Sequence, residues 1–332
     1  MATTTFGTVL APTMALCELT PSGASTPRLE PVGPLPLHPA AHALHYGSAC
    51  FEGLKAHRGT DGRVRLFRPA AHAARLRRSA ELLCLPVPDA DLVEQLLHDV
   101  VMANLDEVPD PPGALYLRPV LLGTDPNIGA AAVPSEHALL YVLASPVGDY
   151  FAGGGRRLRL VVETELPRTT PQFGQAKAGA NYVMALGQVR RARAEHDADQ
   201  VLFAPGGVVQ ETGAANVLLL DDEVVVTPAL DGSFLHGVTR DSVLELARHL
   251  GADVEERTVT VDELAGSVAG REVALSGTAA VLADVGTILI GGREHEVGPE
   301  REGRATARLR RALQEVQRGE RDDPWGWTAA VG

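Results

Sequence analysis

Lysine is nearly missing from this chain: of 30 basic residues only Lys55 and Lys177 are lysines, and the rest are arginines. Composition drift could leave two lysines behind. Arginine, however, cannot lose a proton near neutral pH and attack a carbonyl as a free amine, so chemistry of that kind would fall to Lys55 or Lys177. Cysteine is also scarce. Cys17, Cys50 and Cys84 form no CxxC pair, which removes a disulfide framework and a zinc site and leaves no metal expected. A reducing, cytoplasmic setting is the expectation. No run of 18 or more apolar residues occurs, and the opening MATTTFGTVL has neither a basic n-region nor a long apolar core. It reads as neither a membrane span nor a signal peptide, and the protein is expected to be soluble. Positive charge is in deficit as well, with a net charge of −12. That argues against the concentrated basic patch which nucleic acid or an anionic membrane would need.

What is present is the composition of a globular protein, 45% hydrophobic and 22% charged over 332 residues, enough for two domains with a substantial core. Residues 1–45, rich in Pro, Thr and Ala, read as an irregular arm. A short β-type run covers 64–67. Helical spacing follows over 69–83, with Ala73, Leu76, Ala80 and Leu83 on one side. A second amphipathic helix covers 89–105, with Asp89 and Asp91 near its positive end. Strand-length apolar runs lie at 115–122 and 137–144. Gly153–Gly155 is the clearest linker signal. Beyond it, strands fit at 158–163, 200–204, 217–220 and 224–227, helices at 182–195 and 241–250, and a strand–turn unit at 272–280. Strands mixed with helices in both halves predict an α/β (α+β) protein of two domains. The GERDDPWGW end of the tail reads as disordered.

Four short segments carry chemistry. Lys177 lies in FGQAKAGANY, where small neighbours leave room for a flat ring beside the amine; a solvated surface lysine would fit the spacing too. Glu211 in QETGAAN is a carboxylate in an uncharged stretch, where it needs a partner such as a pyridinium nitrogen, or only water on a loop. Gly237, Val238 and Thr239 precede a helix, where free N–H groups and the dipole favour an anion, although an ordinary N-cap by Thr239 or Asp241 has the same look. SGTAAV, Ser276–Val281, is a small-residue turn after a strand. Arg75 could add a bidentate phosphate contact.

Taken together, HYGSACFEGLKAHR (45–58), LFRPAAHAARLRRSA (66–80), YLRPVLLGTD (116–125), SPVGDYF (145–151), KAGANY (177–182), QETGAANV (210–217), LHGVTRDSVLELA (235–247) and SGTAAVL (276–282) resemble the branched-chain aminotransferase family. That family lies within the fold-type IV pyridoxal-phosphate enzymes, whose fold is that of D-amino-acid aminotransferase. The resemblance implies the cofactor pyridoxal 5′-phosphate, with Lys177 holding it as a Schiff base and moving protons between the substrate Cα and the cofactor C4′. It implies that Tyr182 bonds the ring's phenolic oxygen and Glu211 its nitrogen. Arg75, Val238, Thr239 and Thr278 would hold the phosphate. Tyr116, with the backbone of Thr278 and Ala279, would take the substrate α-carboxylate. Tyr46, Phe51 and Tyr150 would line the side-chain pocket, and Arg118 would meet the side-chain carboxylate of glutamate. Lys55 falls where the family carries a basic residue without catalytic duty. The resemblance also implies a smaller N-terminal α/β domain at 1–146, a linker at 147–157 and a larger C-terminal domain at 158–332 with a barrel-like sheet. The cofactor would sit in the cleft between the domains. A homodimer at least is implied, with the segment 124–129 reaching towards the neighbour.

The expected reaction is ping-pong transamination between Leu, Ile or Val and 2-oxoglutarate. Departures from the family pattern stand near the lysine: Gly179-Ala180 where two glycines are usual, RTTPQFGQ (168–175) in a normally Gly-rich approach, and Val147 where many relatives carry an aromatic. They bear on side-chain specificity. A specialised amino acid, an aminodeoxychorismate-lyase-like reaction or a D-amino-acid transaminase would use the same scaffold.

Overall fold

The computed structural model describes residues 6–148, 156–298 and 304–332. Two compact units form, one from 1–150 with 176–179 and 315–332, the other from 151–175 with 180–314. Gly153–Gly155 and Tyr150 lie outside the described residues. Among the described residues no helix is long and apolar enough to cross a membrane.

The first unit is built on a nine-stranded sheet in which every pairing is antiparallel. Its centre is the strand Ala114–Gly123, paired with Leu54–Arg58 and Ala49–Phe51 on one side and Ala138–Val147 on the other. Period-2 alternation sorts this strand. Leu115, Leu117 and Leu121 enter a core with Leu76, Leu96, Leu97 and Val100 of the helices Pro69–Leu82 and Ala90–Ala103. Tyr116, Arg118 and Val120 therefore project from the other face. Ala73, Leu76 and Ala80, spaced at helical period, are fully buried. The first 45 residues are not irregular throughout: Thr13–Thr20 is a strand bonded to both Ala138–Val147 and Arg28–Pro31. The C-terminal end is ordered as well. Thr328–Val331 pairs with Val64–Phe67, and Trp327 is buried, edge-on to Phe67 and beneath the Arg68 guanidinium.

The second unit carries an eight-stranded mixed sheet in the order Gln200–Phe203, Leu158–Glu163, Val281–Ile290, Glu272–Gly277, Asn216–Leu220, Val224–Pro228 and Asp253–Arg257, with Arg293–Glu296 on the long strand. Residues 208–212 bond one edge and the chain just past the other: Gln210 N donates to Phe203 O and Val209 N to Val259 O, each at 2.9 Å. Glu211 thus follows a residue bonded to the edge strand Gln200–Phe203 and one bonded to Val259, two residues past the opposite edge strand. Helices Gly179–His196 and Val238–His249 begin three residues earlier than apolar periodicity alone suggests, because Gly, Ala, Val and Thr in their first turns carry no amphipathic signal. Buried Glu272 takes the N–H groups of Ala305 and Thr306 at 3.0 and 2.9 Å, satisfying the orphan donors that open the helix Ala305–Arg318.

Candidate active site

In the first unit Lys177 is laid along the sheet edge by its backbone. Phe51 N donates to Lys177 O at 2.9 Å, and Lys177 N donates to Ser79 Oγ at 3.0 Å. Buried Ala176 and Ala178 flank it, so small side chains let the segment lie flat while the lysine chain stays half-buried. Its Nζ stands 5.2 Å from the centroid of the Phe51 ring. The guanidinium of Arg118 lies over the same ring at 4.6 Å and donates to Tyr116 Oη at 2.8 Å. Tyr116 is packed flush against the backbone, since a Cβ on Gly53 would come within 2.1 Å of its hydroxyl.

Phe6 closes on Tyr116 edge-on at 4.9 Å. With Leu10, Tyr116, Arg118 and Ser145 it lines a cavity of about 300 Å³. Phe6 was hidden in the apparently irregular arm; its only sequence signal is an aromatic just ahead of the Thr13–Thr20 strand. Tyr46 makes a separate contact, its hydroxyl donating to Ile128 O at 2.5 Å, which ties it to the segment 124–129. Tyr150 lies outside the described residues.

Arg75 is held by Glu52, which His72 bonds in turn, and motif reading gave neither residue a role. Its Nε and one terminal nitrogen donate to the two oxygens of Glu52 at 2.7 and 2.8 Å, and His72 Nδ1 lies 2.8 Å from Glu52 Oε2. Burial pushes the Glu52 carboxyl up, but the charge and hydrogen bonds of Arg75, with those of His72, hold it well below the ordinary range. His72 is pushed down, first by burial and then by the Arg75 and Lys177 charges, against the pull of Glu52. The available signal was an acid alone in an apolar strand segment, and a histidine one helical turn before Arg75.

The second unit assembles the other group. Glu211, 3% exposed, accepts from the Arg168 guanidinium at 2.7 Å, Leu235 N at 3.0 Å and Asn216 Nδ2 at 3.1 Å. Three donors on one buried carboxylate favour its charged form. The loop that presents it folds on itself, with Thr212 Oγ1 accepting from Ala215 N at 3.0 Å. Arg168 opens the RTTPQFGQ segment, and buried Asn181 clamps that segment, accepting from Thr169 Oγ1 and donating to Phe173 O, both at 2.8 Å. Next to Asn181 on the same helix, Tyr182 is half-buried. Gly237 is the N-cap of Val238–His249 and has no side chain of its own to close the helix start. Buried Arg240 braces the helix start from below, donating to Pro228 O at 2.8 Å and to Glu256 at 3.0 Å. Thr278 and Ala279 form the turn that follows the strand Glu272–Gly277. Ser276 Oγ, buried on that strand, has no hydrogen-bond partner among the described residues.

The chemistry of each group suits part of a flat, phosphate-bearing heteroaromatic aldehyde. The first unit offers an amine beside an apolar ring; the second offers, on its own, a buried carboxylate with three donors for a protonated ring nitrogen and a helix start at Gly237–Thr239 for an anion.

Residues 49–288 match the family described as amino-transferase class IV. The chain is 39% identical over 314 residues to branched-chain-amino-acid transaminase 1 of Bacillus subtilis, covering 92% of this chain and 87% of that one. It superposes on the branched-chain amino acid aminotransferase of Escherichia coli with a TM-score of 0.74 at 27% identity, over 97% and 99% of the two chains. The branched-chain amino acid aminotransferase of Thermobaculum terrenum, solved in its PLP-bound holo form, gives a TM-score of 0.77 at 26% identity, over 96% and 98%. With the sequence match running through both units and both groups of side chains, the chain belongs to the class IV aminotransferases, among the branched-chain-amino-acid aminotransferases.

Proposed function

We infer that this protein is a pyridoxal 5′-phosphate-dependent transaminase that moves an amino group between Leu, Ile or Val and 2-oxoglutarate. The observation that carries the substrate reading is the Phe51 ring, shared by the Lys177 amine at 5.2 Å and the Arg118 guanidinium at 4.6 Å. A wall of that kind is apolar for a branched side chain and carries one cation for the acidic side chain of glutamate. One surface then serves both halves of a ping-pong cycle.

Bound pyridoxal 5′-phosphate supplies the electron sink that stabilises negative charge at the substrate Cα. Lys177 would hold the cofactor through Nζ and, as a free amine, would carry a proton between the substrate Cα and the cofactor C4′. Glu211, kept ionised by Arg168, Asn216 and Leu235 N, receives the ring nitrogen in its protonated form. Tyr182 bonds the ring's phenolic oxygen. Arg75, Val238, Thr239 and Thr278 hold the phosphate; Glu52 fixes the orientation of the Arg75 fork. Tyr116 and the backbone of Thr278 and Ala279 hold the α-carboxylate. Phe51, Tyr46 and Tyr150 bound the side chain, and Arg118 holds the distal carboxylate of glutamate. The N-terminal and C-terminal domains divide these tasks. A cytoplasmic homodimer, with the segment 124–129 facing the neighbour, completes the reading.

The test is a coupled assay of the purified protein with L-leucine, L-isoleucine, L-valine and D-alanine against 2-oxoglutarate. Turnover of the three branched L-amino acids, with none of D-alanine, supports the reading. Turnover of D-alanine alone would replace it.

A further inference from the structure

Asn216 opens the strand Asn216–Leu220 and is buried, 4% exposed. Its amide nitrogen donates to two acceptors, Glu211 Oε2 at 3.1 Å and Leu235 O at 2.9 Å. Only the nitrogen can face those two groups, because a reversed amide would set its oxygen against a carboxylate and a carbonyl. Leu235 closes the ring by donating its N–H to Glu211 Oε1 at 3.0 Å. On its other side the amide abuts Gly237: a Cβ there would come within 2.0 Å of Asn216 Oδ1 and 3.2 Å of its Cγ. Gly237 is the N-cap of Val238–His249. Asn216 is also the register partner of Ser276, two residues before Thr278. One rigid side chain therefore touches the carboxylate and the helix start, and sits in register with the strand feeding the third cofactor segment.

We propose that Asn216 is a positioning residue that couples the two ends of the cofactor site, fixing Glu211 relative to the phosphate-holding turn at Gly237–Thr239. This rests on the assignment of Glu211 and Val238–Thr239 above. A buried polar ring whose members are mutually bonded behaves as one unit. Displacing the carboxylate at one end then disturbs the N–H groups at the other. Glycine at 237 follows from the same contact, since alanine would drive the amide off its two acceptors.

The test uses the full-length apoenzyme and two probes. Inorganic phosphate, titrated by calorimetry, reads the helix start; the pH titration of the long-wavelength absorbance band with pyridoxal 5′-phosphate reads the ring end. Asn216→Ala is expected to weaken inorganic phosphate about tenfold, within the usual range of site-to-site coupling, and to move the midpoint of the absorbance titration. Glu211→Gln is expected to weaken inorganic phosphate in the parent protein and to have no further effect in Asn216→Ala. Asn216→Ser carries the same readouts should the alanine variant not fold. Inorganic phosphate affinity within twofold of the parent in these variants, or an equal effect of Glu211→Gln in both backgrounds, overturns the coupling. If Glu211→Gln leaves the absorbance titration of the otherwise unaltered protein unchanged, the assignment of Glu211 fails instead.

Discussion

Glu52 and Arg75 form a buried bidentate ion pair, with Arg75 Nε 2.7 Å from Oε1 and a terminal nitrogen 2.8 Å from Oε2. The Glu52 side chain is 1% exposed and the Arg75 side chain 10%. Removing one partner of such a pair strands the other charge. Glu52→Ala is therefore expected to destabilise the protein by about 3–5 kcal/mol and to weaken pyridoxal 5′-phosphate binding through the loosened Arg75. Urea unfolding and cofactor titration check this; a loss below about 1 kcal/mol, the value of an exposed pair, would contradict it.

Acid should unfold the protein through its buried histidines. Burial, then the charges of Lys55 and Arg318, push His57 down to about 3 from 6.5, and His72 is lowered too. Below about pH 6.5 the unfolded chain takes up protons that the folded protein refuses. Stability then falls with falling pH, by about 1.4 kcal/mol per unit for each histidine, until the folded-state value is reached. Between pH 7.5 and 5 the lowered Glu52 adds little, since its contribution is lost as the pH falls below its ordinary value of about 4.5. Unfolding free energies at pH 7.5, 6 and 5 should decline, and His57→Leu should flatten the slope. A pH-independent stability over that interval would be inconsistent with these environments.

Arg118 should separate the two substrate classes. Its bonds to Tyr116 and its stacking on Phe51 place a planar, always charged group on an apolar wall. Arg118→Met is expected to cut kcat/KM for glutamate about 10–100-fold, the value of a charged hydrogen bond, while leucine stays within a few-fold. Equal losses for both would remove Arg118 from side-chain recognition. Arg118→Lys should not rescue glutamate, because it loses both fork and stack.

The C-terminal strand should be structural. Trp327→Ala is expected to cost about 3–5 kcal/mol, because the ring is buried against Phe67 and Arg68. A loss under about 1 kcal/mol in thermal or urea unfolding, the range of surface substitutions, would restore the view of a dispensable tail.

Regular periodicity made the fold partly legible: strands at 64–67 and 158–163 and helices at 69–82 and 90–103 match their predicted spans closely. The strand Thr13–Thr20 was obscured by the Pro- and Thr-rich stretch around it, and its edge is set by partners more than 100 residues away. The end strand Thr328–Val331 follows a run of charged and turn-forming residues, and depends on Val64–Phe67 for its ladder. At the site, Lys177 and Glu211 could be singled out because each is an unusual residue in its local stretch, whereas Arg75 stands among Arg77 and Arg78 and is marked only by the family resemblance. Glu52, Arg168 and Asn216 could not. Their importance comes from what they bond, 23 residues away for Glu52 and Arg75, and neither composition nor spacing carries that relation.

The most direct test of the central claim is the absorbance spectrum of the purified protein with added pyridoxal 5′-phosphate, taken with and without L-leucine and L-glutamate, and repeated on Lys177→Ala. The account predicts a long-wavelength band that both amino acids bleach in the parent protein and that never forms in the variant. A band that persists in Lys177→Ala, or one that neither amino acid changes, would contradict it.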